Sequence, residues 1–232
     1  MRMQEKFSGC RILSYCLMSN HIHILLEVPP MPAEGISDAE LLKRLSAIQT
    51  EAFVAVVAKE LSDAHKAGNA ALVAEIHARF TYRMHDLSEF MKTVLQRFTR
   101  WFNRTHKRTG TLWEERFKSV IVESGVAART IAAYIDLNPV RAGMVKDPAD
   151  YRWSSYGEAV GGRVRAEGDD SSKTGPMGNG KKAREGLVRA YFCDQGVGFE
   201  ADKWRDVSRL YRRLMGLALG KKPGLAEISQ SA

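Results

Sequence analysis

Cysteine is scarce in this sequence. Cys10, Cys16 and Cys193 are scattered over 232 residues, and no two of them stand in a C-x-x-C spacing. An odd, dispersed set of thiols argues against a disulfide framework or a zinc ribbon and fits a reducing compartment. Long apolar runs are missing as well: nothing approaches the ~18 residues of a membrane span. Met1-Arg2-Met3-Gln4-Glu5-Lys6 leads into no apolar segment of the kind a secretory leader carries. The expectation is a soluble, cytoplasmic protein with no membrane partner. No internal repeat is present, which excludes a solenoid. Acidic residues are the scarcer charge, 27 against 35 Lys and Arg, leaving a net +8. Such an excess speaks of partners rather than fold, and a polyanion is the first candidate. A merely basic soluble protein satisfies the same number. With 44% apolar and 27% charged residues, the composition is that of a globular chain long enough for one sizeable domain plus appended helices.

The hydrophobic pattern starts with a hairpin over residues 10 to 28. Ile12, Leu13, Tyr15, Cys16 and Leu17 suit a strand, Met18-Ser19-Asn20 can turn, and Ile22 to Val28 returns until Pro29, Pro30 and Pro32 end the run. Residues 37 to 66 read as one helix opened by a Ser37/Glu40 capping box. Gly68 interrupts, and a second helix follows from about Ala70 to Arg83. A third begins near Asp86 and keeps the helical period through Leu87, Phe90, Met91, Val94, Phe98, Trp101 and Phe102 to about His106, with Gly110 closing it. Arg116 to Glu123 alternates like a strand. Val126 to Leu137 reads as an Ala-rich helix stopped at Asn138-Pro139. Residues 161 to 185 are rich in Gly, Ser, Lys and Asp, as a flexible linker is, and a basic helical region follows.

Three groups of residues can carry chemistry. In His21-Ile22-His23 a strand's period of two puts both imidazoles on one face, where they can share a divalent cation. Spacing alone describes two partly exposed strand histidines better than a metal site, and no third ligand is local. Tyr134 and Asn138 stand four apart, on one helical face. A phenol, with its ordinary pKa near 10, becomes a nucleophile when a metal polarises its target or a base takes its proton. Asn138 offers a carbonyl oxygen to a hard cation. The bland alternative makes Tyr134 a packing residue and Asn138 a C-cap before Pro139. Finally, Lys92, Arg97, Arg100, Arg104, Lys107, Arg108, Arg116 and Lys118 are opposed only by Glu114 and Glu115 in their stretch, which holds +6 of the chain's +8. That face can track a phosphate backbone while His106 and Trp113 stack on bases; the alternative is a solvated basic face with Trp113 in the core.

Four blocks in order carry a resemblance: Tyr15-Cys-Leu-Met-Ser-Asn-His-Ile-His-Ile-Leu-Leu-Glu27, Gly110-Thr-Leu-Trp-Glu-Glu-Arg-Phe-Lys-Ser119, Tyr134-Ile-Asp-Leu-Asn-Pro-Val-Arg-Ala-Gly143 and Tyr151-Arg-Trp-Ser-Ser-Tyr156. Together they resemble the REP-associated tyrosine transposases and related single-strand insertion-sequence transposases, the single-tyrosine HUH nucleases. The resemblance implies an α+β, ferredoxin-like antiparallel sheet with packed helices. It implies His21 and His23 as ligands of Mg²⁺ or Mn²⁺, Asn138 as a further ligand or supporting polar residue, and Tyr134 as the nucleophile. The implied partner is single-stranded or hairpin DNA, cleaved and rejoined through a 5′-phosphotyrosine link by a monomer or homodimer. The implied organisation is an HUH domain over 1–156 with a helical insertion at about 31–85, a linker over 157–185 and a basic helical extension over 186–232. Relatives carry a strand and a long helix ahead of the hairpin. Only nine residues precede Cys10, so the expected sheet lacks both. The alternative expectation is a truncated remnant that binds DNA hairpins and no longer cuts; a weaker one is an RNA-binding module on the same scaffold.

Overall fold

The computed structural model describes residues 1–123, 126–160 and 215–216. The chain divides into two compact units, one formed by Met1–Arg11 with Leu26–Ser119, the other by Ile12–Leu25 with Val120–Ala232.

The first unit is helical: α1 (Arg2–Ser8), α2 (Asp38–Ser46), α3 (Glu51–Lys66), α4 (Ala70–Thr81) and α5 (Leu87–Thr105). Each of the last four starts on a side chain that accepts from the first-turn backbone: Ser37, Thr50, Asn69 and Asp86 take the N–H groups of Glu40, Phe53, Leu72 and Glu89. The single helix expected over 37 to 66 is therefore two. Thr50 caps a second start, which breaks the helical run after Ser46. Phe7, Leu41, Leu45, Val57, Leu61, Ala64, Ile76 and Met84 form the core. α1 ends on Gly9 at φ 74°, where a Cβ would lie 2.5 Å from His85 Nε2 and 2.7 Å from Arg44 Nη1, so the position needs glycine twice over. Asp38, in the first turn of α2, accepts from His65 Nε2 at 2.8 Å and His77 Nε2 at 2.7 Å, tying α2 to α3 and α4.

The second unit holds most of the hairpin expected over 10 to 28. β1 (Arg11–Leu17) and β2 (Ile22–Glu27) form a two-stranded sheet, closed by a bond from Met18 N–H to the His21 carbonyl and antiparallel because so short a loop allows nothing else. Ile12, Ser14 and Cys16 point inward in strict alternation along β1. On the other side of β1, Cys16 forms a bridge with Ser154, and Leu17 N–H bonds the Trp153 carbonyl. Packed against the hairpin are α6 (Val126–Arg141), a 3₁₀ turn (Pro148–Asp150) and α7 (Ser155–Val160); Cys16, Leu25, Ala132, Ile135 and Tyr151 make the core.

The chain is thus α+β, with a two-stranded antiparallel sheet and seven α-helices among the described residues. Three expectations are corrected. No strand forms over 116 to 123. Val122 alone packs on the core, Ile121 is fully exposed at 101%, and alternation without a hydrogen-bonded neighbour does not make a strand. α6 runs through Asn138-Pro139 to Arg141, because Asn138 replaces the donor that proline lacks, as described below. α7 occupies 157 to 160, the start of the expected linker. The rest of 157–185, and the extension over 186–232 apart from Met215 and Gly216, lie outside the described residues.

Candidate active site

α6 is buried around most of its circumference. Ala132, Ala133, Ile135, Leu137 and Pro139 are all covered, and so is Asp136. The stripe left facing outward is Thr130, Tyr134, Asn138 and Arg141, spaced as one helical face requires. A helix whose apolar residues cover nearly every side leaves its few outward positions to be read for chemistry, and here they are hydroxyls, an amide and a guanidinium.

Tyr134 is 43% exposed, and its ring faces the hairpin. The ring centroids of His23 and Tyr134 are 6.0 Å apart, and those of His21 and His23 are 4.8 Å apart, each pair edge to face. The two imidazoles and the phenol therefore converge from distant segments of sequence. His23 lies within β2, and His21 immediately precedes it, so the period of two acts as expected.

The surroundings of the two imidazoles differ. Asn20 Oδ1 lies 2.7 Å from His21 Nδ1. A carbonyl oxygen can only accept, so this contact selects the tautomer with its proton on Nδ1, in which Nε2 is the ligand atom. Burial, reinforced by the neighbouring His21, holds His23 below the ordinary imidazole pKa. Both features suit a divalent cation, whose imidazole ligands must be unprotonated. Among the described residues no group of three or more His, Cys, Asp or Glu side chains could hold a metal ion, so a third protein ligand from among them would have to be of another type.

Asn138 shares the phenol's face, but its amide is turned onto its own helix. Nδ2 donates to the Tyr134 carbonyl at 3.1 Å and reaches the Ile135 carbonyl at 3.5 Å. Ile135 is the residue whose carbonyl Pro139, having no N–H, cannot serve. Those bonds use the amide nitrogen and leave Oδ1 with its lone pairs. The helix then ends on Gly143 at φ 69°, with Gly143 N–H bonded to the Val140 carbonyl and Met144 N–H to that of Pro139.

Beneath this face Asp136 ties α6 to its surroundings. Its Oδ1 lies 3.0 Å from Ser155 Oγ, 3.5 Å from Ser14 Oγ and 3.4 Å from the Tyr156 N–H nitrogen. β1, α6 and α7 thus meet on one carboxylate, which fixes the helix of Tyr134 against the strand that leads to the histidines. Burial, with Asp136 adding to it, pushes the Cys16 thiol up to about 12, so that cysteine is a neutral packing group.

The basic residues proposed for DNA belong to the first unit. Arg97, Arg100, Arg104, Lys107, Arg108 and Arg116 are exposed and make no ion pair among the described residues, whereas Lys92 and Lys118 pair with Glu89 at 2.8 Å and Glu115 at 2.9 Å. Trp113 is half-buried on α5, its indole N–H bonded to Thr99 Oγ1 at 3.0 Å. The ring that α5 presents outward is Trp101, 57% exposed. Arg97, Arg100, Trp101 and Arg104 fall on one face at i, i+3, i+4 and i+7. The sequence reading assigned Trp101 to the apolar side, and only its spacing from the three arginines signals otherwise. Arg141, missed altogether, lies with its guanidinium carbon 4.7 Å from the Tyr134 ring centroid.

No protein-family model, curated protein or solved structure matches the chain.

Proposed function

We propose that this protein is a metal-assisted, single-tyrosine nuclease and strand transferase acting on single-stranded DNA near hairpins, of the REP-associated HUH kind. The observation that carries the reading is the convergence of His21, His23 and Tyr134, with ring centroids 4.8 Å apart from His21 to His23 and 6.0 Å apart from His23 to Tyr134. On this reading the β1–β2 hairpin and α6 belong to a ferredoxin-like scaffold. His21 and His23 hold Mg²⁺ or Mn²⁺, with Asn138 Oδ1 as the further protein donor. The cation supplies Lewis-acid polarisation of the scissile phosphate. Tyr134 Oη attacks phosphorus and the P–O3′ bond breaks. The products are a 5′-phosphotyrosine and a free 3′-hydroxyl, the phenolic proton passing to solvent and the leaving 3′-oxygen taking one from it. Reversal by a 3′-hydroxyl rejoins the strand, and no nucleotide is consumed because the covalent link keeps the energy of the bond.

The test is covalent capture. A labelled single-stranded oligonucleotide carrying a hairpin is incubated with protein and Mn²⁺, then run on a denaturing gel. A protein–DNA adduct is expected, lost with chelator, and reduced to background by Tyr134→Phe while filter binding of the oligonucleotide is unchanged. Adduct formed by the Phe variant overturns the nucleophile. Binding with no adduct under any metal leaves only a DNA-binding protein.

A further inference from the structure

Arg141 is the last residue of α6 and stands seven positions beyond Tyr134. A cation at a helix C-terminus ordinarily serves the terminal carbonyls. Two of those carbonyls, Pro139 and Val140, are already bonded by Met144 and Gly143, and the guanidinium turns away from them. It runs back along the helix, in the direction in which Cα–Cβ bonds tilt, and stops over the phenol with Cζ 4.7 Å from the ring centroid.

Among the described residues no carboxylate neutralises its charge. Arg141 is exposed and makes no ion pair with a carboxylate among the described residues. Its companions on the outward stripe (Thr130, Tyr134 and Asn138) carry no charge, and the acid of the same helix, Asp136, is buried and faces Ser14 and Ser155. A solvent-facing arginine held over the phenol ring, with no counter-ion among the described residues, is placed to take an anion. Guanidinium is also the one cation that stacks on an aromatic face while keeping its N–H edges free for the paired oxygens of a phosphate.

We propose that Arg141 is the phosphate-gripping residue of this site: its guanidinium holds the non-bridging oxygens of a DNA phosphodiester against the Tyr134 hydroxyl, and afterwards holds those of the phosphotyrosine. This rests on the nuclease reading for its substrate, yet the anion site itself can be measured without any cleavage.

The protein is labelled at tyrosine ring carbons, the Tyr134 signal is assigned with Tyr134→Phe, and inorganic phosphate is titrated in by NMR. Phosphate is expected to move the Tyr134 signal in the wild type and to leave it in place in Arg141→Gln, with a reduced shift in Arg141→Lys. In the covalent-capture assay the Gln variant is expected to lose about 10²–10³-fold in adduct rate, as when one preorganised donor is removed from a charged transition state. Mn²⁺ binding, followed by EPR, should be unchanged in both variants. Circular dichroism confirms that each is folded. If Arg141→Gln cuts at the wild-type rate, the inference falls while the nuclease reading stands. If the rate drops but phosphate still moves the Tyr134 signal, the side chain only props the ring and the inference also falls. If phosphate moves that signal in the wild type and not in Arg141→Gln, but no adduct ever forms, the anion site stands and the nuclease reading falls.

Discussion

A carboxylate buried in an alanine-rich helix is tolerated only with donors around it, and Asp136 collects them from two other elements: the Ser14 and Ser155 hydroxyls and the Tyr156 N–H. Removing it takes away the acceptor that all three share, leaving the two hydroxyls with one another at 3.1 Å and Ser155 with the Tyr15 carbonyl. Asp136→Ala is therefore expected to cost about 1–3 kcal/mol of stability, read as a lower urea midpoint. The change lies two residues from the nucleophile on the opposite face of the helix, so any loss of adduct formation should track the loss of folded protein. A midpoint equal to that of the wild type would show that Asp136 does not hold α6 in place. Here residue chemistry and site geometry are one matter, because the phenol's aim depends on a helix fixed from beneath.

At the scale of elements, α2, α3 and α4 share a titratable fastener. The bonds from His77 and then His65 hold the Asp38 carboxyl below its ordinary value of 3.8. A carboxyl depressed on folding contributes stability that is complete above that ordinary value and is lost as acid protonates it in the folded state. Because the Asp38 side chain is 37% exposed, solvent screening limits the contribution to roughly half a kcal/mol. Asp38→Asn should therefore lie slightly below the wild type in denaturant midpoint at pH 6, and the gap should close as the pH is taken well below the ordinary value of 3.8. A gap of equal size at both pH values would rule the fastener out.

The elements also show which signals could be read in advance. α4, α5 and the hairpin follow caps and periodicities that are local, so their positions could be read directly from Asn69, Asp86 and the alternation of Ile12, Ser14 and Cys16. The pairing of His21 with His23 was legible for the same reason. Three features depend on neighbours distant in sequence and were not. Asn138 mends the bond missing at Pro139, so the helix outlasts its apparent stop. Val120 and Ile121 alternate as a strand would but find no strand to join. Arg141 looks like an ordinary helix-end cation until its direction over Tyr134 is seen. The meeting of Tyr134 with the histidines was implied only by family resemblance. No rule of spacing connects a hairpin to a helix more than a hundred residues on.

For the molecule as a whole, the most basic stretch, Lys92 to Lys118 with a net +6, belongs to the first unit, while the phenol and imidazoles belong to the second. The two surfaces should therefore fail in different ways. The face of Arg97, Arg100, Trp101 and Arg104 alternates cation and aromatic, as a single strand requires: phosphates are neutralised in sequence and one base can stack. Each phosphate contact on a single strand adds about 0.7 to the slope of log affinity against log salt. The double variant Arg100→Gln/Arg104→Gln is then expected to lower the slope by about 1.4, and Trp101→Ala to cost about 1–3 kcal/mol of binding with the slope unchanged. Both are read by fluorescence anisotropy on a labelled oligonucleotide across a salt series. At saturating DNA, the single-turnover rate of adduct formation should stay at the wild-type value in either variant, because neither touches the helix that bears the nucleophile. A slope unaltered by the loss of both arginines would leave the basic face as ordinary solvated charge, and the DNA contacts would then have to be sought in the second unit, where Arg141 already stands without a counter-ion among the described residues.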